Sequence, residues 1–198
     1  MPDKYGVIQD HYCYPDSSVL INKLGITDQS ALDLAELEFT QYRVEQYEPD
    51  FEDFSWANLL RIHFLLFQDI YSWAGEIRTV DISKGTTRFA NVQFIEREAV
   101  KLFVRLERES FLTQLPESEF TERLAHYYSE LNVIHPFRDG NGRVQRLYFE
   151  GLAINAGYEI HWQAITTIEW LEANIAAYHC QLSPLIDLFK RAIVKLPI

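Results

Sequence analysis

The sequence has 198 residues, of which 47% are apolar, and this length fits a single domain with a sizeable core. Its 29 acidic residues against 18 lysines and arginines give a net charge of −11, which disfavours nucleic acid and anionic membranes as partners. No run approaches the roughly 18 apolar residues of a membrane helix, and the first residues lack the apolar segment of a signal peptide. With two distant cysteines, these features predict a soluble, cytoplasmic protein with free thiols.

Helical periodicity dominates the chain, because apolar side chains recur at three- and four-residue spacing. The predicted helices are residues 30–47, 55–73, 95–110, 118–134, 142–156, 167–179 and 183–195. The second is apolar on most sides and belongs in the core. Ser118 is the expected cap of the fourth, and residues 158–162 are extended and ambiguous. The pattern predicts a mainly α domain.

A short hairpin is predicted between the second and third helices. Residues 77–82 alternate with period two, residues 83–85 are typical of a turn, and residues 86–89 favour β structure. From these residues alone, a hairpin that merely covers the core is the preferred interpretation.

The stretch HPFRDGNGR, residues 135–143, joins two predicted core helices. Pro136 disfavours the α conformation for His135, so the preceding helix should end near Ile134 with the imidazole at its end. Phe137 is interpreted as a buried anchor of the loop. Taken alone, a His-Pro pair is most often only a helix stop.

The second half of this stretch predicts an anion site. Gly140, Asn141 and Gly142 precede a helix, and free N–H groups at a helix start bind anions. Arg143 and Arg146 lie on one face of that helix at the positive end of its dipole, which is unfavourable without an anion. We expect Arg143 to lack a partner within the chain, and we therefore expect a bound polyanion.

Asp139 adds a carboxylate to this predicted anion site. One carboxylate beside phosphates is a common way to hold Mg²⁺. Taken alone, Asp139 would be a helix cap. The joint pattern predicts a phosphate-handling site that is neither a Walker loop nor a zinc motif.

The run HPFRDGNGRVQR resembles the signature of the Fic family, HPFx[D/E]GNGRxxR, and WAGEIRTVDISKG and AHYYSELNVIHPF extend the resemblance over the chain. It implies a Fic fold, a helical bundle with a short β-hairpin flap over the active site. The chain would be a single Fic domain, 1–198. Its parts would be an N-terminal helical extension (1–50), the flap hairpin (78–90) and a helix-loop-helix core (118–157).

The resemblance implies protein adenylyl transfer, in which AMP moves from ATP to a Tyr, Thr or Ser hydroxyl of a target protein. His135 would be the general base, and Asp139 would hold Mg²⁺ at the α- and β-phosphates. The implied phosphate-binding residues are Gly140, Asn141, which would face the α-phosphate, Gly142, Arg143 and Arg146, while Pro136 and Phe137 shape the loop. The flap residues implied to meet the target are Asp81, Ile82, Ser83, Lys84, Gly85, Thr86 and Thr87.

Many Fic proteins carry an inhibitory motif, [S/T]xxxE[G/N], whose glutamate pairs with the arginine equivalent to Arg146. The sequence has no such motif, because its nearest candidate, residues 113–118, has a proline inside and serine last. The resemblance therefore implies a toxin held inactive by a separate small antitoxin that supplies the glutamate. Type II topoisomerase subunits are the target suggested by analogy.

Two alternatives stay open. One is a Fic enzyme that transfers UMP, phosphocholine or phosphate, although phosphate-transferring members carry alanine where this chain has Gly140. The other is a non-catalytic module derived from Fic enzymes, which is disfavoured because every motif residue is present.

Overall fold

The computed structural model describes residues 10–197, in which seven α-helices surround one hydrophobic core. The helices are α1 Gln29–Glu45, α2 Trp56–Phe67, α3 Ile95–Arg108, α4 Glu117–Ile134, α5 Asn141–Asn155, α6 Thr167–Tyr178 and α7 Ser183–Ala192. The strands are β1 Ser83–Lys84, β2 Thr87–Arg88, β3 Tyr158–Ile160 and β4 Ile193–Lys195. The mainly α prediction is confirmed. No helix in the described part of the chain is both long and apolar enough to cross a membrane.

The two helices that flank the HPFRDGNGR loop lie at the centre of the fold. α4 and α5 pack against each other, α4 also contacts α3 and α7, and α5 contacts α2. Leu124 and Leu131 on α4 and Val144 and Leu152 on α5 are completely buried. Burial of one such side chain contributes roughly 1.5–3 kcal/mol, so the loop is held between firmly anchored elements.

Helix starts follow ordinary capping chemistry, with two differences from the prediction. The first predicted helix begins at residue 30, whereas α1 begins at Gln29, with Asp28 as its N-cap accepting a hydrogen bond from Ala31 N at 2.9 Å. The prediction for Ser118 is wrong: Pro116 occupies the N-cap of α4 in an extended conformation, and Ser118 lies in the first turn. The predicted N-terminal extension covers residues 1–50, of which residues 1–9 lie outside the described residues. The helix within this extension is α1.

The second predicted helix is too long, because α2 ends at Phe67. The following turns bring Gly75 N back to donate to His63 Nδ1 at 2.7 Å. A continuous helix would separate these two residues by about 18 Å along its axis.

The last predicted helix is also too long. Ile193–Lys195 forms β4, which pairs antiparallel with β3 and places Ile193 opposite Ile160. Both isoleucines are buried, so the pairing completes the core at the C-terminal end. The ambiguous segment after α5 is therefore a strand.

The hairpin is shorter than predicted. β1 and β2 pair antiparallel with Lys84 opposite Thr87, and Gly85 turns the chain with φ +58°. Residues 77–82 are not a strand, because Arg78 N donates to Pro136 O at 2.9 Å and Asp81 accepts from Val92 N at 2.9 Å. The first contact ties the base of the hairpin to the α4–α5 loop, and the second joins the two ends of the hairpin.

Candidate active site

His135 ends α4 in the left-handed conformation, with φ 47° and ψ 64°. Pro136 excludes a continued helix at this point. The His135 Nδ1 atom lies 3.1 Å from Asn132 O. Since a carbonyl oxygen only accepts, Nδ1 carries the proton and Nε2 carries the lone pair.

The His135 imidazole is neutral at physiological pH. It is 8% exposed, and burial lowers its pKa to about 3 against the smaller opposing effect of the Asn132 carbonyl. A neutral ring with its lone pair on Nε2 is the form that accepts a proton.

The loop after His135 is closed by one side chain. Asn141 Oδ1 accepts from Phe137 N at 2.9 Å, and Asn141 Nδ2 donates to Phe137 O at 2.8 Å. Both polar ends of the Asn141 side chain therefore bind the loop backbone, and the expectation that Asn141 faces the α-phosphate stays a prediction. Phe137 is the buried anchor that was predicted, and its ring stacks on His63 with centroids 3.9 Å apart.

Gly140 and Gly142 occupy different environments. Gly140 caps α5 with φ +81°, and a Cβ there would lie 2.3 Å from the Phe67 ring. Gly142 lies within α5, and a Cβ there would have no atom within 4 Å. Among residues 10–197 no acceptor binds the backbone N–H groups of Asn141 and Gly142, which begin α5. Two such groups at a helix start favour an anion.

Arg143 has a partner that the sequence did not predict. Its Nη2 atom donates to the Glu36 carboxylate, which also accepts from the Tyr71 hydroxyl, and its guanidinium lies over the Phe67 ring at 4.6 Å. Burial lowers the pKa of Arg143, but Glu36 and Asp139 together raise it above its usual value. The expectation of a partnerless Arg143 is wrong, because α1 brings in Glu36 from 107 positions earlier in the chain.

Arg146 differs from Arg143. Its guanidinium lies 5.5 Å from the centre of the Trp162 ring, and no carboxylate in the described part of the chain lies within ion-pair distance of it, although Glu150 interacts with it electrostatically at longer range. Glu150, one helical turn further on, accepts a hydrogen bond from Trp162 Nε1. Arg146 therefore remains the cation best placed to meet an anion from outside.

Asp139 is buried at the start of α5. Its Oδ1 atom accepts from Gly140 N at 2.5 Å and lies 4.0 Å from Arg143 Nη2. Its main-chain oxygen lies 3.1 Å from His63 Nε2. Residues 10–197 contain no group of three or more His, Cys, Asp or Glu side chains suited to a metal ion. A single carboxylate fits Mg²⁺ only where phosphate oxygens and water complete the coordination.

The flap residues predicted to meet a target divide into two sets. Lys84, Gly85 and Thr86 are exposed at the tip, with Ser83 and Thr87 partly exposed beside them. Ile82 is 3% exposed, and the Asp81 carboxylate binds Asn91 Nδ2 and Val92 N. The tip is therefore accessible, whereas Asp81 and Ile82 hold the base.

Three buried residues that support the loop were not predicted. His63 bridges Gly75 and Asp139, and burial lowers its pKa to about 3. Arg138 binds the Asp10 carboxylate at 3.0 Å, and Arg78 donates to the main-chain oxygen of His135 at 2.8 Å. Neither periodicity nor a motif in the sequence predicts these three residues, because their partners are distant in sequence or are main-chain atoms.

Together these contacts define a helical domain with a neutral histidine and an anion-binding helix start on one loop. The Fic/DOC family model matches residues 53–153. A Salmonella typhimurium relative, named "Probable protein adenylyltransferase Fic", is 44% identical over 193 residues, covering 98% of this chain and 96% of the relative. The chain belongs to the Fic/DOC family.

Solved Fic domains share this fold. The N-terminal Fic domain of a Bartonella quintana effector with bound ADP is 31% identical, with a TM-score of 0.85 over 93% of this chain and 95% of that chain. The BepC effector of Bartonella tribocorum with bound AMPPNP is 28% identical, with a TM-score of 0.86 over 94% and 97%.

Proposed function

We propose that this protein transfers AMP from ATP to a Tyr, Thr or Ser hydroxyl of a target protein. It is an enzyme of the nucleotidyltransferase class, to which adenylyltransferases belong. The Salmonella typhimurium relative carries the name adenylyltransferase. The observation that supports the proposal is the contact of His135 Nδ1 with Asn132 O at 3.1 Å, which places the ring proton on Nδ1; in the proposal, Nε2 accepts the hydroxyl proton. The ADP and AMPPNP in solved Fic domains support ATP as co-substrate.

In the proposed reaction the target hydroxyl oxygen attacks the α-phosphorus, the bond to the β-phosphate oxygen breaks, and pyrophosphate leaves. His135 Nε2 takes the hydroxyl proton. The backbone N–H groups of Asn141 and Gly142 and the α5 dipole stabilise charge that develops on the transferred group. Arg143 and Arg146 bind the β- and γ-phosphates, and Asp139 would hold Mg²⁺ beside them, where the ion would neutralise phosphate charge.

The flap contributes target binding in this proposal. An extended segment of the target pairs with the edge of the hairpin, which places its hydroxyl near His135. The exposed tip, Lys84, Gly85 and Thr86, supports this role. The use of ATP fits the cytoplasmic location expected from the sequence.

Regulation in trans is the second part of the proposal. The chain acts as a toxin, and a small antitoxin supplies a glutamate that binds Arg146 and blocks the γ-phosphate position. The absence of an ion pair at Arg146 within residues 10–197 supports this. Capture of a small helical protein from the native host, and loss of its inhibition when that glutamate is replaced, test the proposal. A chain that is equally active with every neighbouring gene product contradicts it.

The experiment that tests the transfer uses ATP labelled at the α- or the γ-phosphate, with host lysate as target. We expect label in a protein band only from α-labelled ATP, and mass spectrometry then separates AMP from UMP and phosphocholine adducts. His135→Ala should lower the rate about 10²–10⁴-fold. His126→Ala, on the same helix, is the matched control.

Three outcomes would contradict the proposal: full activity in His135→Ala, label from the γ-phosphate, or nucleotide binding without transfer. The last outcome would favour a non-catalytic module. Type II topoisomerase subunits, proposed by analogy, are the first bands to identify.

A further inference from the structure

Arg78 joins the flap to the catalytic loop. Its side chain is fully buried, and its guanidinium donates to main-chain oxygens on both sides. On the flap these are Val80 O at 2.7 Å and Ala90 O; on the loop they are His135 O at 2.8 Å and Ile134 O at 3.4 Å. One planar cation therefore spans the two ends of the flap and the residue that carries the imidazole.

The flap also contacts the His135 ring directly. Phe89 follows β2, and its ring stacks on the imidazole with centroids 3.7 Å apart and an interplanar angle of 14°. One face of the imidazole is therefore covered by the flap, while Nδ1 is held by Asn132 O.

Two main-chain hydrogen bonds also join the flap to the end of α4 and the loop after it. Arg78 N donates to Pro136 O at 2.9 Å, and Ala90 N donates to Val133 O at 3.0 Å. The flap base is thus bound to the end of α4, since displacing the flap would break hydrogen bonds to four consecutive residues, 133–136.

We propose that Arg78 and Phe89 are positioning residues, which make the orientation of the His135 imidazole depend on contact between the flap and the α4–α5 loop. This inference rests on the proposed function, because it takes His135 as the base and the flap as the target-binding edge. A target that pairs with the flap then stabilises both the position of its own hydroxyl and the imidazole that receives the proton. If the flap is displaced, the Phe89 ring no longer stacks on the His135 imidazole, and the plane of the imidazole is no longer fixed.

The test compares Phe89→Leu, which removes the stack, with Phe89→Tyr, which keeps it. Phe94→Leu, at an exposed phenylalanine just after the flap, is the matched control. Transfer of label from α-labelled ATP to the host-lysate band is measured at saturating ATP. We expect Phe89→Leu to lower the rate about 10²-fold with an unchanged half-saturating ATP concentration, because a small misplacement of a catalytic group is enough for such a loss. Phe89→Tyr and Phe94→Leu should stay within about threefold of wild type, as expected for changes that leave the geometry of the base intact.

A spectroscopic measurement separates positioning from loss of structure. In protein with ¹³C-labelled histidine rings, the His135 signal, identified by its absence in His135→Asn, should carry a ring-current shift from Phe89. That shift should vanish in Phe89→Leu and persist in Phe89→Tyr, while the other five histidine signals stay in place.

Arg78→Lys provides the second arm, because one ammonium group cannot reach the oxygens on both flap and loop. We expect the same loss of rate at unchanged half-saturating ATP. If this buried substitution prevents folding, the Phe89 variants decide. A wild-type rate in Phe89→Leu, or a loss of rate with the ring-current shift intact, overturns the inference. Full activity in His135→Ala would instead overturn the proposed function.

Discussion

Substituting alanine for each of the two loop glycines should have opposite effects on stability. At Gly140 the backbone has φ +81°, which costs a residue with a Cβ about 1–2 kcal/mol. The new Cβ would also lie 2.3 Å from two atoms of the Phe67 ring. That ring is completely buried, stacks on His63 and lies under Arg143, so overpacking should cost a further 1–3 kcal/mol or so. The total is about 2–5 kcal/mol.

Gly142→Ala is the matched substitution, two residues away in the same motif. Its Cβ would meet nothing within 4 Å, and alanine in a helix is favoured over glycine by roughly 0.5–1 kcal/mol. Urea unfolding followed by the fluorescence of the four tryptophans measures both changes. We expect the midpoint to fall for Gly140→Ala and to rise slightly for Gly142→Ala. Equal shifts in the two variants would refute the conclusion that the Phe67 ring leaves no room for a Cβ at Gly140.

Two further predictions concern buried charge. His63 and His135 have folded pKa values near 3, below the unfolded value of about 6.5, so the unfolded chain binds more protons and stability should fall as pH drops from 7 to 5. Each of the two histidines contributes about 2 kcal/mol to that loss of stability. Urea unfolding at pH 7 and pH 5 measures the loss. An equally large loss in His135→Asn would contradict a lowered pKa for His135. Glu36→Gln should lower the free energy of unfolding by about 1–2 kcal/mol, because Arg143 loses its counter-charge. Glu38→Gln, exposed on the same helix, should have little effect, and equal stability of the two variants would count against the Glu36–Arg143 pair.

The loop itself could be predicted well from the sequence, since its signals are local. Pro136 ends α4 at Ile134, and Phe137 is buried as expected. The predicted helix start at residue 142 lies one residue from the observed start at Asn141. These outcomes follow from backbone preferences of single residues and from spacing along one helix.

The partners of the loop could not be predicted, because tertiary contacts supply them. Glu36 lies on an amphipathic helix whose other acids are mostly exposed, so periodicity gave no reason to single it out. The family resemblance predicts that Asn141 faces the α-phosphate, but nothing in the sequence indicates that its side chain also closes the loop through the backbone of Phe137. At the flap, the period-two pattern over residues 77–82 was misleading, because the Arg78 side chain is buried among main-chain acceptors and these residues form no strand in the described part of the chain.

The Asp10–Arg138 pair has a consequence for where the functional unit begins. Arg138 is 1% exposed, and its counter-charge comes from 128 positions earlier in the chain. A fragment trimmed to the family-matched residues 53–153 would lose both Asp10 and Glu36, and leaving a buried arginine without its carboxylate costs about 3–5 kcal/mol. We therefore expect a fragment that keeps Asp10 to be more stable than one trimmed to the segment by which the family is recognised.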